Sequence, residues 1–374
     1  MNKKVLMAAS VYYTSPFQVG SHHYARAFEK LGYEVLYIST PISPLHNIFA
    51  NNTELKERER IYKKGGEKIG DITYYVPKTL FTLQNKPLLR SKFALKHWED
   101  FSYPNIMTYI EENGFADVNI LWFDSPLFHF LLDNIKYKQS ILRLADYSRG
   151  YKSLLPENYY RMEIQITNRV DKIIYTAKNM EDKYKGIKNK SKMIYVPNGI
   201  DLEFFEKADK SFPEEFKNIP EPRIIYVGAI SEWFDVDLIY YCASKLSLCS
   251  FVIIGPPKKD LSKLKNLKNI YILGLKSHNK IPGFLTHSQV GIIPFDTRNY
   301  SDLVNSINPL KLYEYLVCGL PVVSMKWEEI AALEHMVTIC DTSEEFLEGI
   351  KKAKKIFVDL AEFRWDKKLY SIIQ

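Results

Sequence analysis

Apolar residues arrive along this chain in short continuous runs, separated by stretches of helical period, and that alternation is the pattern of an α/β fold. Lys4-Val5-Leu6-Met7-Ala8-Ala9-Ser10 is of strand length and lacks polar alternation, as expected for a parallel strand covered on both faces. A polar loop from Tyr12 to Gly20 follows, then apolar positions at helical spacing over residues 21–31, with Ser21 as the expected N-cap and Gly32 as the stop. Residues 34–39 read as a second strand, completing a βαβ unit. Further strands are predicted at 71–76, 118–123, 139–144 and 172–176, with helices over 99–113 and 156–170.

Near residue 200 the grammar restarts. A strand over 192–196 runs into Pro197-Asn198-Gly199, a charged stretch leads to Pro222, and Arg223-Ile224-Ile225-Tyr226-Val227-Gly228 opens a second βαβ series. Its later strands are predicted at 251–255, 269–274, 290–294 and 321–324. The expected architecture is two doubly wound, Rossmann-like domains, residues 1–200 and 201–355, with a C-terminal helix in 356–374 that could cross back to the first domain. A length of 374 residues suits two cores of ordinary size.

Composition sharpens this picture in three places. Charge is asymmetric: residues 1–200 carry 29 Lys+Arg against 20 Asp+Glu, a net +9, and residues 201–374 carry 22 against 24, a net −2. The first half is therefore expected to face something anionic: nucleic acid, an acidic membrane surface or an anionic substrate. No nucleic-acid-binding motif accompanies the charge, so no nucleic-acid partner is expected. No apolar run reaches the roughly 18–20 residues needed to cross a bilayer. The N-terminal apolar run reads as a buried strand rather than a signal peptide. Cys242, Cys249, Cys318 and Cys340 form no CxxC pair and lie in apolar surroundings, as reduced core thiols of a cytoplasmic protein would.

Ligands of open α/β sheets bind outside the carboxyl ends of the strands, and two such domains facing each other would form a cleft there. Gly228 ends the first strand of the second series and would let a backbone approach a diphosphate, with a helix expected to start near Glu232. Asp235-Val236-Asp237 could hold a metal, but carboxylates are favoured in a first helical turn anyway, and no metal is expected. The richest segment is Pro309-Leu310-Lys311-Leu312-Tyr313-Glu314-Tyr315, in which Pro309 pre-sets a first turn. Lys311 and Glu314 share one helix face, where a lysine can hold phosphate and a carboxylate can accept from a ribose diol. A solvated Lys–Glu pair on an amphipathic helix is the plain alternative.

These segments resemble two-domain GT-B glycosyltransferases. The likeness lies in Val196-Pro197-Asn198-Gly199-Ile200-Asp201, Val290-Gly291-Ile292-Ile293-Pro294-Phe295, the Pro309–Tyr315 segment and Gly319-Leu320-Pro321-Val322-Val323. Gly228-to-Asp235 and Ser21-His22-His23-Tyr24-Ala25 resemble the branch holding the xanthan glucuronosyltransferase and teichuronic-acid-type enzymes. The resemblance implies a nucleotide-sugar donor on the second domain. Lys311 would contact the donor phosphate or sugar and Glu314 the ribose. Gly228, Glu232, Pro309 and Leu310 would line the donor site, and backbone at Leu275 and Lys276 would read a uracil. One acidic position typical of retaining relatives is Ser306 here, which counts against a retaining mechanism of that type; an inverting, metal-independent transfer is expected.

An inverting transfer needs a general base on the acceptor domain. Leu144-Ala145-Asp146-Tyr147-Ser148 resembles a motif of the branch, and Asp146 is the first candidate, with Arg143 or Arg149 orienting it. His22 and His23, at a helix start, are further candidates for base or acceptor ligand, with Ser21 beside them and Asp124 as a weaker alternative. Residues 86–98 mix basic and large apolar side chains and could lie in an anionic membrane interface. The expected activity is transfer of a sugar, glucuronic acid being one option, from a UDP-sugar to a hydroxyl of a lipid-linked glycan. The site of action would be the cytoplasm, with attachment to the inner face of the cell membrane as an option. A sugar-nucleotide epimerase and a non-catalytic nucleotide-sugar sensor are the rival readings.

Overall fold

The structure is a computed structural model that describes residues 3–44, 53–80, 92–151 and 156–374. It divides into two compact units: the described parts of Met1–Ser15, Val19–Pro197 and Lys368–Gln374 form the first, and Pro16–Gln18 with Asn198–Lys367 form the second.

The first unit is built on strands β1 (Lys3–Ala9), β2 (Tyr33–Ser39), β3 (Glu67–Ile69), β4 (Ile72–Tyr75), β5 (Asp117–Phe123), β6 (Lys136–Leu144), β7 (Lys172–Tyr175) and β8 (Met193–Tyr195). They lie in the order β3-β4-β2-β1-β5-β6-β7-β8, parallel throughout except for the antiparallel β3–β4 pair. The unbroken apolar runs have their explanation here, because Val5 to Ala9 in the central strand are wholly buried from both sides. Strand order reverses about β1, whose neighbours are β2 on one side and β5 on the other. Its carboxyl end is the place where ligands of such sheets bind.

The second unit carries β9 (Arg223–Val227), β10 (Ser250–Ile254), β11 (Ile270–Gly274), β12 (Val290–Ile293), β13 (Val322–Met325) and β14 (Thr338–Cys340). All neighbours in the order β11-β10-β9-β12-β13-β14 are parallel, and the reversal falls between β9 and β12. The unit closes on itself at its chain ends: Ile200 donates its N–H to the Phe363 carbonyl at 2.8 Å, and Trp365 donates to the Ile200 carbonyl at 3.4 Å. The helix Trp365–Ile373 then passes into the first unit, where the Lys172 ammonium donates to the Ile372 carbonyl at 2.6 Å.

Several local expectations are corrected. Strands β3 and β14 have three residues each, too short to give a periodic signal. The stretch 99–113 is not one helix: a 3₁₀ turn over Trp98–Phe101 and a helix over Ile106–Glu112 are separated at Pro104, which has no N–H to give a helical ladder. Asn105 caps the second piece, its side chain accepting from the amides of Met107 and Thr108. The first helix spans Gly20–Lys30 with Val19, not Ser21, at its cap. His22 explains the shift, because its Nδ1 accepts the Val19 N–H at 3.0 Å and supplies the cap Ser21 was expected to give. Gly32, at φ +77°, does end that helix.

The four cysteines are free thiols, and burial pushes those of Cys242, Cys318 and Cys340 up to about 12, which suits inert packing residues. Among the described residues no helix is long and apolar enough to cross a membrane. Residues 86–91 of the basic–apolar segment lie outside the described residues. Trp98, at its end, is fully buried with its indole N–H on the Leu127 carbonyl at 2.8 Å, so it belongs to the core and not to an interface.

Candidate active site

In the second unit the strand ends are built of glycine. Gly228, Gly255 and Gly274 follow β9 and β10 or close β11, and all three have positive φ: +150°, +149° and +67°. The backbone links them, with Gly228 N–H on the Ile254 carbonyl and Gly255 N–H on the Gly274 carbonyl, each at 2.9 Å. A Cβ on Gly255 would stand 1.8 Å from the Gly228 carbonyl oxygen, so the two turns touch through bare backbone. Lys311 lies over this floor: a Cβ on Gly228 would meet its Cε at 2.9 Å. Its ammonium rests 4.7 Å from the Phe295 ring centre and 5.5 Å from that of Tyr226. Tyr226 is in β9 and Phe295 follows β12, so Lys311 stands at the point where strand order reverses.

The helix that carries it spans Leu310–Val317, with Pro309 one place earlier than expected, at the cap. At its far end Gly319 (φ +73°) turns the chain: its N–H meets the Leu316 carbonyl and the Leu320 N–H meets that of Tyr315. Glu314, one turn from Lys311, is held at 3.1 Å by His278 Nε2, whose ring stacks on Phe204 with centres 4.6 Å apart. Of the other expected donor residues, Leu275 is exposed, and Lys276 places its ammonium on Glu215 at 2.6 Å. Glu232 lies ahead of the helix rather than in it. That helix spans Val236–Lys245 and is capped by Asp235, whose carboxylate accepts the Leu238 N–H at 2.8 Å. Asp237 pairs with Lys263, so the Asp-x-Asp pair serves a cap and an ion pair, and among the described residues no cluster of metal-ligating side chains exists. Ser306 is fully buried, its hydroxyl turned onto the Leu303 carbonyl at 2.7 Å.

The turn into the second unit is fixed to the same helix. Asn198 donates its N–H to Asn308 Oδ1 at 3.0 Å and its side-chain amide to the Asn308 carbonyl at 2.7 Å. Asn308 in turn donates to buried Glu329 at 2.9 Å.

In the first unit the strand ends are built of side chains. Asp124 and Arg143, after β5 and at the end of β6, form a buried ion pair at 2.9 Å, and Trp122 donates its indole N–H to the other Asp124 oxygen at 2.7 Å. Gly20 lies directly on that guanidinium, where a Cβ would come within 2.3 Å. Both Asp124 and Arg143 are thereby committed to structure, and breaking such a pair costs about 3–5 kcal/mol. Asp146, past the end of β6, is half-buried and accepts the Tyr151 hydroxyl at 2.6 Å. Burial and the adjacent carboxylate push the Tyr151 phenol well above its ordinary value, which keeps it a donor.

Beneath this loop, Glu163 accepts from the Ser148 hydroxyl at 2.6 Å and from the Tyr184 hydroxyl at 2.8 Å. Burial pushes its carboxyl up to about 7, with the nearby Asp146 charge adding to the rise.

The remaining candidates fall outside this loop. His22 is wholly buried, with Nδ1 on the Val19 amide and Nε2 on the Tyr12 carbonyl at 3.0 Å, so it is a capping residue and not a base. His23 Nδ1 is held by Arg26 at 2.9 Å. Ser21 is buried against the Tyr37 hydroxyl at 3.0 Å. Arg149 forms a two-toothed pair with Glu157 and lies over the Tyr160 ring, with no hydrogen bond to Asp146. Sequence reasoning passed over Gly255, His278 and Glu163. A glycine after each of three consecutive strands was a readable signal for the first; the other two show no local pattern.

Comparison with known proteins follows the same division. Residues 221–354 match the family described as Glycosyl transferases group 1, and residues 7–140 match the N-terminal domain of the glucuronosyltransferase GumK. A curated relative from Bacillus subtilis (strain 168), TuaH, assigned to teichuronic acid biosynthesis as a glycosyltransferase, is 27% identical over 265 residues. That match takes in 64% of each chain, so this chain spans under two thirds of that relative's length. Sucrose-phosphate synthase from Thermosynechococcus elongatus superposes with a TM-score of 0.64 at 14% identity, covering 99% of this chain and 93% of that one. Anabaena HepE, solved with UDP and glucose, gives 0.58 at 10% identity, covering 100% and 95%. The likeness to these solved structures shows the fold, which is GT-B. Its first unit is similar to that N-terminal domain over residues 7–140, and its second to the group 1 family over residues 221–354.

Proposed function

We propose that the protein transfers a sugar, glucuronic acid, from its UDP conjugate to a hydroxyl of a lipid-linked glycan during synthesis of a cell-surface polysaccharide. The observation that carries the donor half is Lys311, seated over Gly228 at the strand reversal of the second unit. A diphosphate there could approach bare backbone with no side chain between, and would meet one ammonium to balance its charge. Glu314, oriented by His278, accepts from the ribose diol, and backbone at Leu275 and Lys276 reads the base. GumK and TuaH, by their descriptions, act on glucuronosyl transfer and teichuronic acid, which supports a uronic acid donor and a polymer product.

In the proposed reaction the acceptor hydroxyl loses its proton to Asp146 as its oxygen attacks the anomeric carbon, and the bond from that carbon to the diphosphate breaks. Configuration inverts, and Lys311 stabilises the charge on the departing UDP without a metal. Tyr151 fixes the carboxylate through its 2.6 Å hydrogen bond. The first test is thermal stabilisation by UDP, GDP, ADP, dTDP and CMP. Binding at ~100 times the dissociation constant adds about 2.7 kcal/mol, and selective stabilisation by UDP is expected. A wholly unresponsive, well-folded protein would refute the donor assignment. UDP released from UDP-glucuronic acid without glycosylated product would refute the transfer.

A further inference from the structure

From the last turn of the helix Ser343–Lys352 towards the 3₁₀ turn Ala361–Phe363 runs the segment Lys351-Lys352-Ala353-Lys354-Lys355-Ile356-Phe357-Val358. Phe357 is 97% exposed and Ile356 36%, whereas Val358 and Leu360 pack into the core of the second unit. The strap is thus anchored at its base and holds a phenyl ring out in water. Lys351 and Lys352 share Glu348, at 2.7 and 3.3 Å. Lys354 and Lys355 are exposed and form no ion pair among the described residues. Four lysines in five positions stand out in a half whose net charge is −2.

We infer that this strap docks the second unit onto an anionic phospholipid bilayer, with Phe357 and Ile356 entering the headgroup boundary and the lysines meeting lipid phosphates. An aromatic side chain with no groove of its own needs an apolar phase to receive it. Lysines spread along a helix end and the strap after it suit a plane of diffuse negative charge better than a fixed set of carboxylates. This surface is separate from residues 86–98, and it rests on the proposed reading only in that a lipid-linked acceptor gives the docking a use.

Co-sedimentation of the full chain with vesicles of equal parts phosphatidylcholine and phosphatidylglycerol tests it, with pure phosphatidylcholine as the comparison. Binding is expected to the anionic vesicles alone and to weaken with salt. Phe357→Ser, and separately the Lys354→Glu/Lys355→Glu pair, should each lower partitioning by about tenfold, with melting and the response to UDP unchanged. Phe357→Trp should gain quenching by brominated lipid over the wild type. No binding by the wild type would overturn the inference, as it would if an acidic protein were the true partner. Wild-type binding by the charge-reversed variant would overturn it too, by placing the contact on another face. Because the UDP response is read separately, failure of the donor assignment and failure of the docking surface are distinguishable.

Discussion

Each unit has a cation at the point where its strand order reverses, and the two are treated in opposite ways. In the first, Arg143 is buried under Gly20 and tied to Asp124, so its charge is spent on holding three strand ends together. In the second, Lys311 lies on a floor of bare glycine and against two aromatic faces. The same topology therefore yields a structural cation in one unit and, on the proposed reading, a ligand-binding one in the other. A diphosphate is the same in every donor and can be met by backbone. An acceptor varies, and recognising it needs side chains.

The comparison is broken or sharpened by substitution. The largest effect is expected at Asp146→Asn, which should lower turnover on the order of 10³-fold while leaving UDP-induced stabilisation intact, measured by product formation and thermal shift on one preparation. Lys311→Ala should lower kcat/KM on the order of 10²-fold and weaken UDP binding as well. Equal loss of UDP binding in both variants would collapse the distinction between the units.

Glu163→Gln is expected to act on stability. The folded protein holds this proton up to about pH 7, against an ordinary carboxyl value of 4.5. Between those values it binds more protons than the unfolded chain, so stability falls as pH rises through that window. The amide should flatten the slope and raise stability at pH 8 on the order of 2 kcal/mol, read from urea midpoints. His278→Ala should have the smallest effect, weakening UDP about threefold by freeing Glu314, as seen by calorimetry.

The fold was legible because most of its strands are short continuous apolar runs, several ended by glycine or proline, as at Val227-Gly228 and Ile293-Pro294. Boundaries failed where a side chain from elsewhere intervened. His22 capped its own helix by reaching back to Val19, a contact no capping preference announces. Of the candidate site, Gly228, Lys311 and Glu314 were readable from spacing within single segments. His278 and Glu314 are 36 positions apart, and Ser148 and Glu163 are 15, so both pairings exist only once the chain has folded. His22 misled for a related reason: adjacency to a second histidine says nothing about what its ring already holds.

The hydrogen bonds joining Ile200 to Phe363 and Trp365 make the second unit an insertion within the first, entered and left through adjacent strands of chain. During synthesis the whole of residues 198–367 must leave the ribosome before residues 368–374 can join the unit that began the chain. The second unit can thus mature while the first still lacks residues 368–374. A domain exchange with a relative must respect that order by moving 198–367 as a single cassette, with Asn198 kept beside its own Asn308.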